Sequence, residues 1–528
     1  MARSVYFGGP ILTMEEPLYA QALVEEDGVI RYVGQLETAL ELAGPQARKV
    51  DMEGRCLMPA FLDPHSHFMA CANSLLQVQL GECADQEEIC QRLGDFVQRE
   101  HLQPGEWVRG TGYDQNDLAQ GCPPDRWMLD RACPDHPVVI QHASGHVGVF
   151  NSRALELLGV DENTPCPQGG VMEKDHEGRL TGYMEENAFL SLLQKVPMPD
   201  LKDLMDALVR AQDRYASYGI ATVQEGMFMD AMLPLYQAML AQKLLKLDVV
   251  AYADPRDCKK IMEQFGDRVG HYKGHVKIGG DKIFLDGSPQ GRTAWMRQPY
   301  EGEEDYRGYP VLTDEQVYGR LKSALERNVQ ILAHCNGDQA AEQYLSVMER
   351  LEQEMGRRLR RPVMIHAQLV GRDQLPRLKA LGMIPSFFVA HVYHWGEVHV
   401  KNFGLERAEH ISPAGTAATL GIPFTFHQDA PVIQPNMLET VWCAVNRRTK
   451  TGRLLGEEER ISTLEALKAV TVYAAYQYFE EDRKGSLAVG KAADFVILGQ
   501  DPLTADPMAL RDIPVLETIK DGRTIWPG

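Results

Sequence analysis

What most constrains the fold of this chain is a rhythm of eight short apolar runs that read as β-strands. They cover residues 57–62, 220–224, 247–252, 282–285, 331–334, 363–366, 383–388 and 423–427. Stretches with apolar residues at i, i+3 and i+4, among them 203–218, 314–328 and 339–353, read as helices between several of them. Strand–helix alternation of this kind builds a parallel sheet, and eight such units predict an α/β fold, a TIM-like (β/α)8 barrel. The spacing from His334 to His366 matches one βαβ unit of roughly 30 residues, and that from His366 to Asp429 leaves room for two.

The rhythm breaks once. Between His67 and Ile220 lies far more chain than one crossover needs. The stretch from about 73 to about 196 is therefore read as a large insertion after strand one, with a strand of its own at Val138–His142 and a Pro/Gly-rich run at 164–170. Insertions after barrel strands are expected above the C-terminal mouth, where they can cover a site and select substrates. Residues 4–7, 22–25 and 30–33 read as strands with turn signals at Gly8-Gly9 and Asp27-Gly28. Residues 493–498, 518–519 and 524–526 read the same way, with a tight turn at Asp521-Gly522. The domain expectation is thus a small composite β-sandwich from residues 1–56 and 484–528, flanking a barrel at 57–483.

At 528 residues the chain exceeds the size of a single hydrophobic core. A formal charge of -20 repels phosphate backbones and anionic membranes, so neither nucleic acid nor membrane is an expected partner. The ten cysteines form no Cys-x-x-Cys pair, which favours a reducing compartment. No stretch approaches the ~20 apolar residues of a membrane span, and the N-terminus lacks a signal-peptide core; a cytoplasmic protein is expected. A homodimer is the default assembly.

Six residues at strand ends carry the candidate chemistry: His65, His67, Lys282, His334, His366 and Asp429. In Phe61-Leu62-Asp63-Pro64-His65-Ser66-His67 the two imidazoles are two residues apart, so in a strand both face one side and can bind one ion. A lone His-x-His more often has a bland explanation, as does a lone strand-end histidine. His334 and His366 end consecutive strands and can converge on the same barrel mouth. Asp429 could ligate metal and take a proton from water, or serve as a turn or N-cap residue. An ammonium cannot ligate a cation, but a neutral Lys282 that adds carbon dioxide becomes a carbamate able to bridge two ions. The competing reading pairs Lys282 with Asp286 as a buried ion pair. Lys277, five residues away, is expected on the opposite face of a regular strand.

These motifs, with Gly112-Tyr113-Asp114-Gln115-Asn116, the run from His146 through Asn151 to Leu155, and the run from Gly485 to Phe495, resemble the amidohydrolase superfamily. Within it the chain is similar to the amidohydrolase-3 branch of YtcJ-like proteins, which includes N-substituted formamide deformylases. The resemblance implies a metal-bearing TIM-like barrel with a composite β-sandwich. It implies metal roles for His65, His67, His334 and His366, a carbamylated bridge at Lys282 and a catalytic role for Asp429. Two departures stand out: Ile365 where many relatives carry Glu, and His427-Gln428 where many carry Gly-Ser. The expected reaction is hydrolysis of an amide-type C–N bond in an N-acyl or N-formyl amine. One or two Zn²⁺ ions, or Mn²⁺ or Fe²⁺, would activate water, and Asp429 would act as general base and then acid. Cyclic amides, imidazolone-type rings and carbamates are the alternative substrates, and a non-catalytic small-molecule-binding homologue is the third reading. His146, Asn151, His391, His394 and His427 are candidate substrate contacts.

Overall fold

The computed structural model describes residues 3–143, 145–197 and 199–528. It divides into two compact units, one of Met1–Met69 with Ala211–Gly528 and the other of Ala70–Arg210.

In the first unit, eight parallel strands follow one another in sheet order: β1 (Phe61–Leu62), β2 (Ile220–Phe228), β3 (Asp248–Ala253), β4 (Val276–Phe284), β5 (Gln330–Cys335), β6 (Val363–His366), β7 (Ile384–Phe387) and β8 (Thr425–Phe426). Their β-branched, fully buried residues suit a sheet covered on both faces. Leu62, Val250, Leu332, Val363, Ile365 and Ile384 form one cluster. Side chains from strands so far apart in the order can meet only across a central axis, so the sheet curls into a TIM-like barrel. At the mouth, His67 N donates to Ala430 O at 2.9 Å and joins the two ends of the order. Ala474, Ala475 and Tyr478 close the interior from the other end.

Three sequence expectations change here. The apolar run at 57–62 is two strands: Cys56–Pro59 pairs antiparallel with Phe495–Leu498, and the chain switches sheets at Ala60 before β1 begins. The Gly8-Gly9 pair makes no turn; it lies inside the strand Arg3–Leu12, at a register shift against Tyr19–Glu26. Lys277 does not face away from Lys282. Lys277 aligns with Val250, but Tyr252 aligns with Gly280, so one extra residue enters β4 at Gly279. A one-residue slip moves every later side chain to the other face, and both lysines therefore face the interior. Lys277 sits at the closed end, ion-paired with Glu480 and donating to Tyr478 O at 2.9 Å.

The bulge depends on glycine. A Cβ on Gly280 would lie 1.9 Å from Gln330 O, on the neighbouring strand. Gly280→Ala is expected to cost roughly 1–3 kcal/mol and to lower the thermal unfolding midpoint. An unchanged midpoint would show that the bulge accommodates a side chain.

Both chain ends enter a second eight-stranded sheet, in which the strands of residues 3–59 and 495–527 share one order. Ile11, Leu23, Ile30, Leu57, Phe495 and Ile519 share a core, so strands from both edges of that order curl together. The helix Leu36–Ala43 covers Val5, Ala22 and Val24 on the other face.

The Ala70–Arg210 unit is built on its own six-stranded sheet, of which Val138–His142 is one member. Its core includes Leu80, Leu93, Val108, Leu129 and Ile140. Among the described residues no helix is long and apolar enough to cross a membrane.

Candidate metal centre at the barrel mouth

The six strand-end residues come together. His65 Nε2 lies 3.3 Å and His67 Nε2 3.4 Å from Asp429 Oδ1. His366 Nε2 lies 3.9 Å from Asp429 Oδ2 and 3.0 Å from His334 Nδ1. Lys282 Nζ stands 3.3 Å from His65 Nε2. Ligand atoms of His65, His366 and Asp429 all lie within 4.8 Å of one another. Asp286 does not pair with Lys282. Its carboxylate accepts from the backbone of Trp295, Asn336 and Gly337 instead, which removes the competing ion pair.

Backbone geometry explains how two of these side chains reach the mouth. Ile365 already faces the interior, so the next residue of a regular strand would face out. His366 has φ 71°, and this left-handed turn redirects its ring inward. Asp429 is likewise left-handed, at φ 55°. Such conformations cost about 1–3 kcal/mol each and concentrate at functional sites.

Hydrogen bonds behind the rings orient them. His65 Nδ1 lies 2.7 Å from Gln224 Oε1, an acceptor, so the proton sits on Nδ1 and the Nε2 lone pair faces the cluster. Gln224 is itself held by its donation to Pro64 O at 2.6 Å. His334 Nε2 lies 3.3 Å from Gly287 O and 3.0 Å from Asn336 Nδ2, contacts that hold the ring with its Nδ1 toward the cluster.

Burial lowers all four histidines, aided by Lys282 at His65 and His334: His67 falls to about 4 and His334 to about 3. They are neutral imidazoles at physiological pH, the form that ligates metal. Burial also lowers Lys282 from 10.5 to about 7, against the pull of Asp429. Burial would raise Asp429, but the surrounding imidazoles, His65 foremost, with His366 and His67, pull the other way and hold it well below the usual carboxylate range. Its Oδ1 is buried without a donor in hydrogen-bonding geometry. Ring lone pairs and a carboxylate thus face each other across a few ångströms. That donor set fits a divalent cation, which would remove the repulsion.

The amidohydrolase family profile Amidohydro_3 matches residues 48–526. The chain belongs to that family. This family member is similar to YtcJ of Bacillus subtilis (strain 168), at 28% identity over 540 residues, covering 99% of both chains. It is 26% identical over 522 residues to the N-substituted formamide deformylase of Arthrobacter pascens, covering 95% of this chain and 94% of that protein. A solved structure described as an uncharacterized metal-dependent hydrolase from Pyrococcus furiosus superposes with TM-score 0.76 at 27% identity, covering 95% of this chain and all of the other. The amidohydrolase-family chain is therefore a hydrolase with a TIM-like barrel, of a kind that works with a divalent metal.

The five expected substrate contacts all have protein partners. His427 is fully buried, with both ring nitrogens committed to protein partners, and so presents none to substrate. His391 is buried too, its Nδ1 lying 3.0 Å from His399 Nε2 and its ring packed on Phe388 and Trp395. His394 pairs with Glu439 at 2.9 Å. In the Ala70–Arg210 unit, Asn151 caps the helix Ser152–Leu158 and also bonds Val138 N and His136 O, which gives it a structural role. His146 lies 3.2 Å from Glu186. Sequence reasoning passed over Gln224 and Ser386. Ser386 is the one buried polar residue of a short apolar strand, and that is a signal that could have found it; Gln224 sits mid-strand between buried Thr222 and Glu225, where nothing singles it out.

Proposed function

We propose that this chain hydrolyses an amide-type C–N bond in a small N-acyl or N-formyl amine, with a divalent metal centre at the barrel mouth. The observation that carries the reading is the convergence of neutral imidazoles on Asp429, a buried carboxylate with an oxygen lacking a proton donor. His65, His67, His334 and His366 would hold one or two ions, Zn²⁺ being the first expectation, and Lys282 as a carbamate would bridge them. The metal supplies Lewis acidity, lowering the pKa of water and polarising a carbonyl. Asp429 takes the proton of the attacking water and returns it to the departing amine, which otherwise leaves poorly as an anion. Formamides come first because the similar Arthrobacter pascens protein is named for that activity.

The test is a screen of formamides, N-acyl amino acids, carbamates and cyclic ureides on protein of measured metal content. Hydrolysis of a formamide or N-acyl amine, lost on chelation and restored by a divalent ion, is expected. Turnover of cyclic ureides or carbamates alone would move the assignment to ring or carbamate hydrolysis. A protein that binds no transition metal would refute the proposal.

A further inference from the structure

His427 lies directly behind the metal-facing side of His366. His366 Nε2 points at His334 and Asp429, while its Nδ1 lies 3.1 Å from His427 Nε2. On its far side, His427 Nδ1 lies 2.9 Å from Ser386 Oγ. His427 and Ser386 are wholly buried and His366 is 3% exposed. The Phe388 ring packs on both imidazoles, at 6.3 Å from His366 and 5.3 Å from His427. Water is excluded, so a lost partner would not be replaced by solvent.

We propose that the Ser386–His427 pair is a positioning relay that fixes the tautomer of His366 and so sets how tightly the mouth binds metal; the proposal rests on the metal reading above. The relay can run in two senses. In one, His366 Nδ1–H donates to His427 Nε2, and His427 Nδ1–H donates to the Ser386 hydroxyl oxygen. His366 Nε2 then carries a lone pair aimed at the cluster. In the other, Ser386 donates to His427 Nδ1, His427 Nε2–H donates to His366 Nδ1, and the His366 proton sits on Nε2, where it blocks ligation. Ser386 serves both senses because a hydroxyl donates and accepts. Metal binding selects the first. Removing the Ser386 oxygen leaves His427 Nδ1–H without a buried acceptor, which favours the proton on His427 Nε2 and hence the blocking sense.

The test measures Co²⁺ affinity by the ligand-field absorption of the bound ion, on metal-stripped protein whose thermal midpoint is recorded alongside. Ser386→Ala and His427→Leu are expected to bind Co²⁺ about 10–100-fold more weakly than wild type, and His427→Gln, whose carboxamide oxygen can accept from His366 Nδ1–H, within about threefold of it. Wild-type affinity in Ser386→Ala or His427→Leu would overturn the relay, as would a His427→Gln as weak as the leucine variant. If His427→Leu does not fold, Ser386→Ala against wild type makes the same decision. A wild-type protein that takes up no Co²⁺ would overturn the metal reading itself, and the relay with it.

Discussion

Asp429→Asn is expected to lower turnover of a confirmed amide substrate by about 10³-fold or more, because positioned acid–base groups contribute 10²–10⁴-fold and this one acts in two steps. The substitution keeps the shape of the side chain but removes its ability to accept a proton. Four neutral histidines remain, so metal uptake is expected to persist in the inactive variant. That separation distinguishes proton transfer from simple loss of the ion. Measured by turnover and by metal content on the same sample, near-wild-type turnover would remove Asp429 from the chemistry.

Lys282 has the second large expected effect. Among the described residues no ion pair holds its amine, and burial brings it from 10.5 to about 7 against the pull of Asp429. A neutral amine is the form that adds carbon dioxide. Uptake of labelled bicarbonate by metal-stripped protein is therefore expected to rise as pH climbs through about 7 and to level off above it. Stability of the metal-free fold should follow the same sign. Between about 7 and 10.5 the unfolded chain still holds a proton the folded one has released, so stability rises with pH across that window. Below about 7 both states are protonated, and the full cost of burying the cation remains. Lys282→Met should abolish that pH dependence, bind fewer ions per chain and lose activity by about the 10²–10³-fold typical of removing a charge-stabilising group. Lys282→Arg, cationic at all relevant pH, should exclude metal altogether. Two ions bound per chain in Lys282→Met would refute the bridging carbamate.

Much of the site was legible because its chemistry-bearing side chains sit at the ends of apolar runs, where imidazole, amine and carboxylate contrast sharply with their surroundings. What stayed hidden depends on backbone geometry or on contacts distant in sequence. Within the apolar run at 57–62 only Pro59 hints at the change of sheet at Ala60. The face of Lys277 follows from one extra residue at Gly279, for which the Gly-Gly pair was the available hint. His366 reaches the mouth only through its left-handed backbone, and histidine's modest enrichment in that region is too weak to announce it from sequence. His427 reads as an accessible polar residue beside Asp429, yet the packing of Phe388, His366 and Ser386 encloses it.

The antiparallel pairing of Cys56–Pro59 with Phe495–Leu498 also sets the order of events during synthesis. The strand that leads directly into β1 waits for a partner made more than four hundred residues later, on the order of a minute at ribosomal speed. Throughout that interval Leu57 and Ile11 lack the Phe495 and Ile519 side chains that complete their core. That apolar surface is thus covered only long after it leaves the ribosome, an interval in which it is open to aggregation.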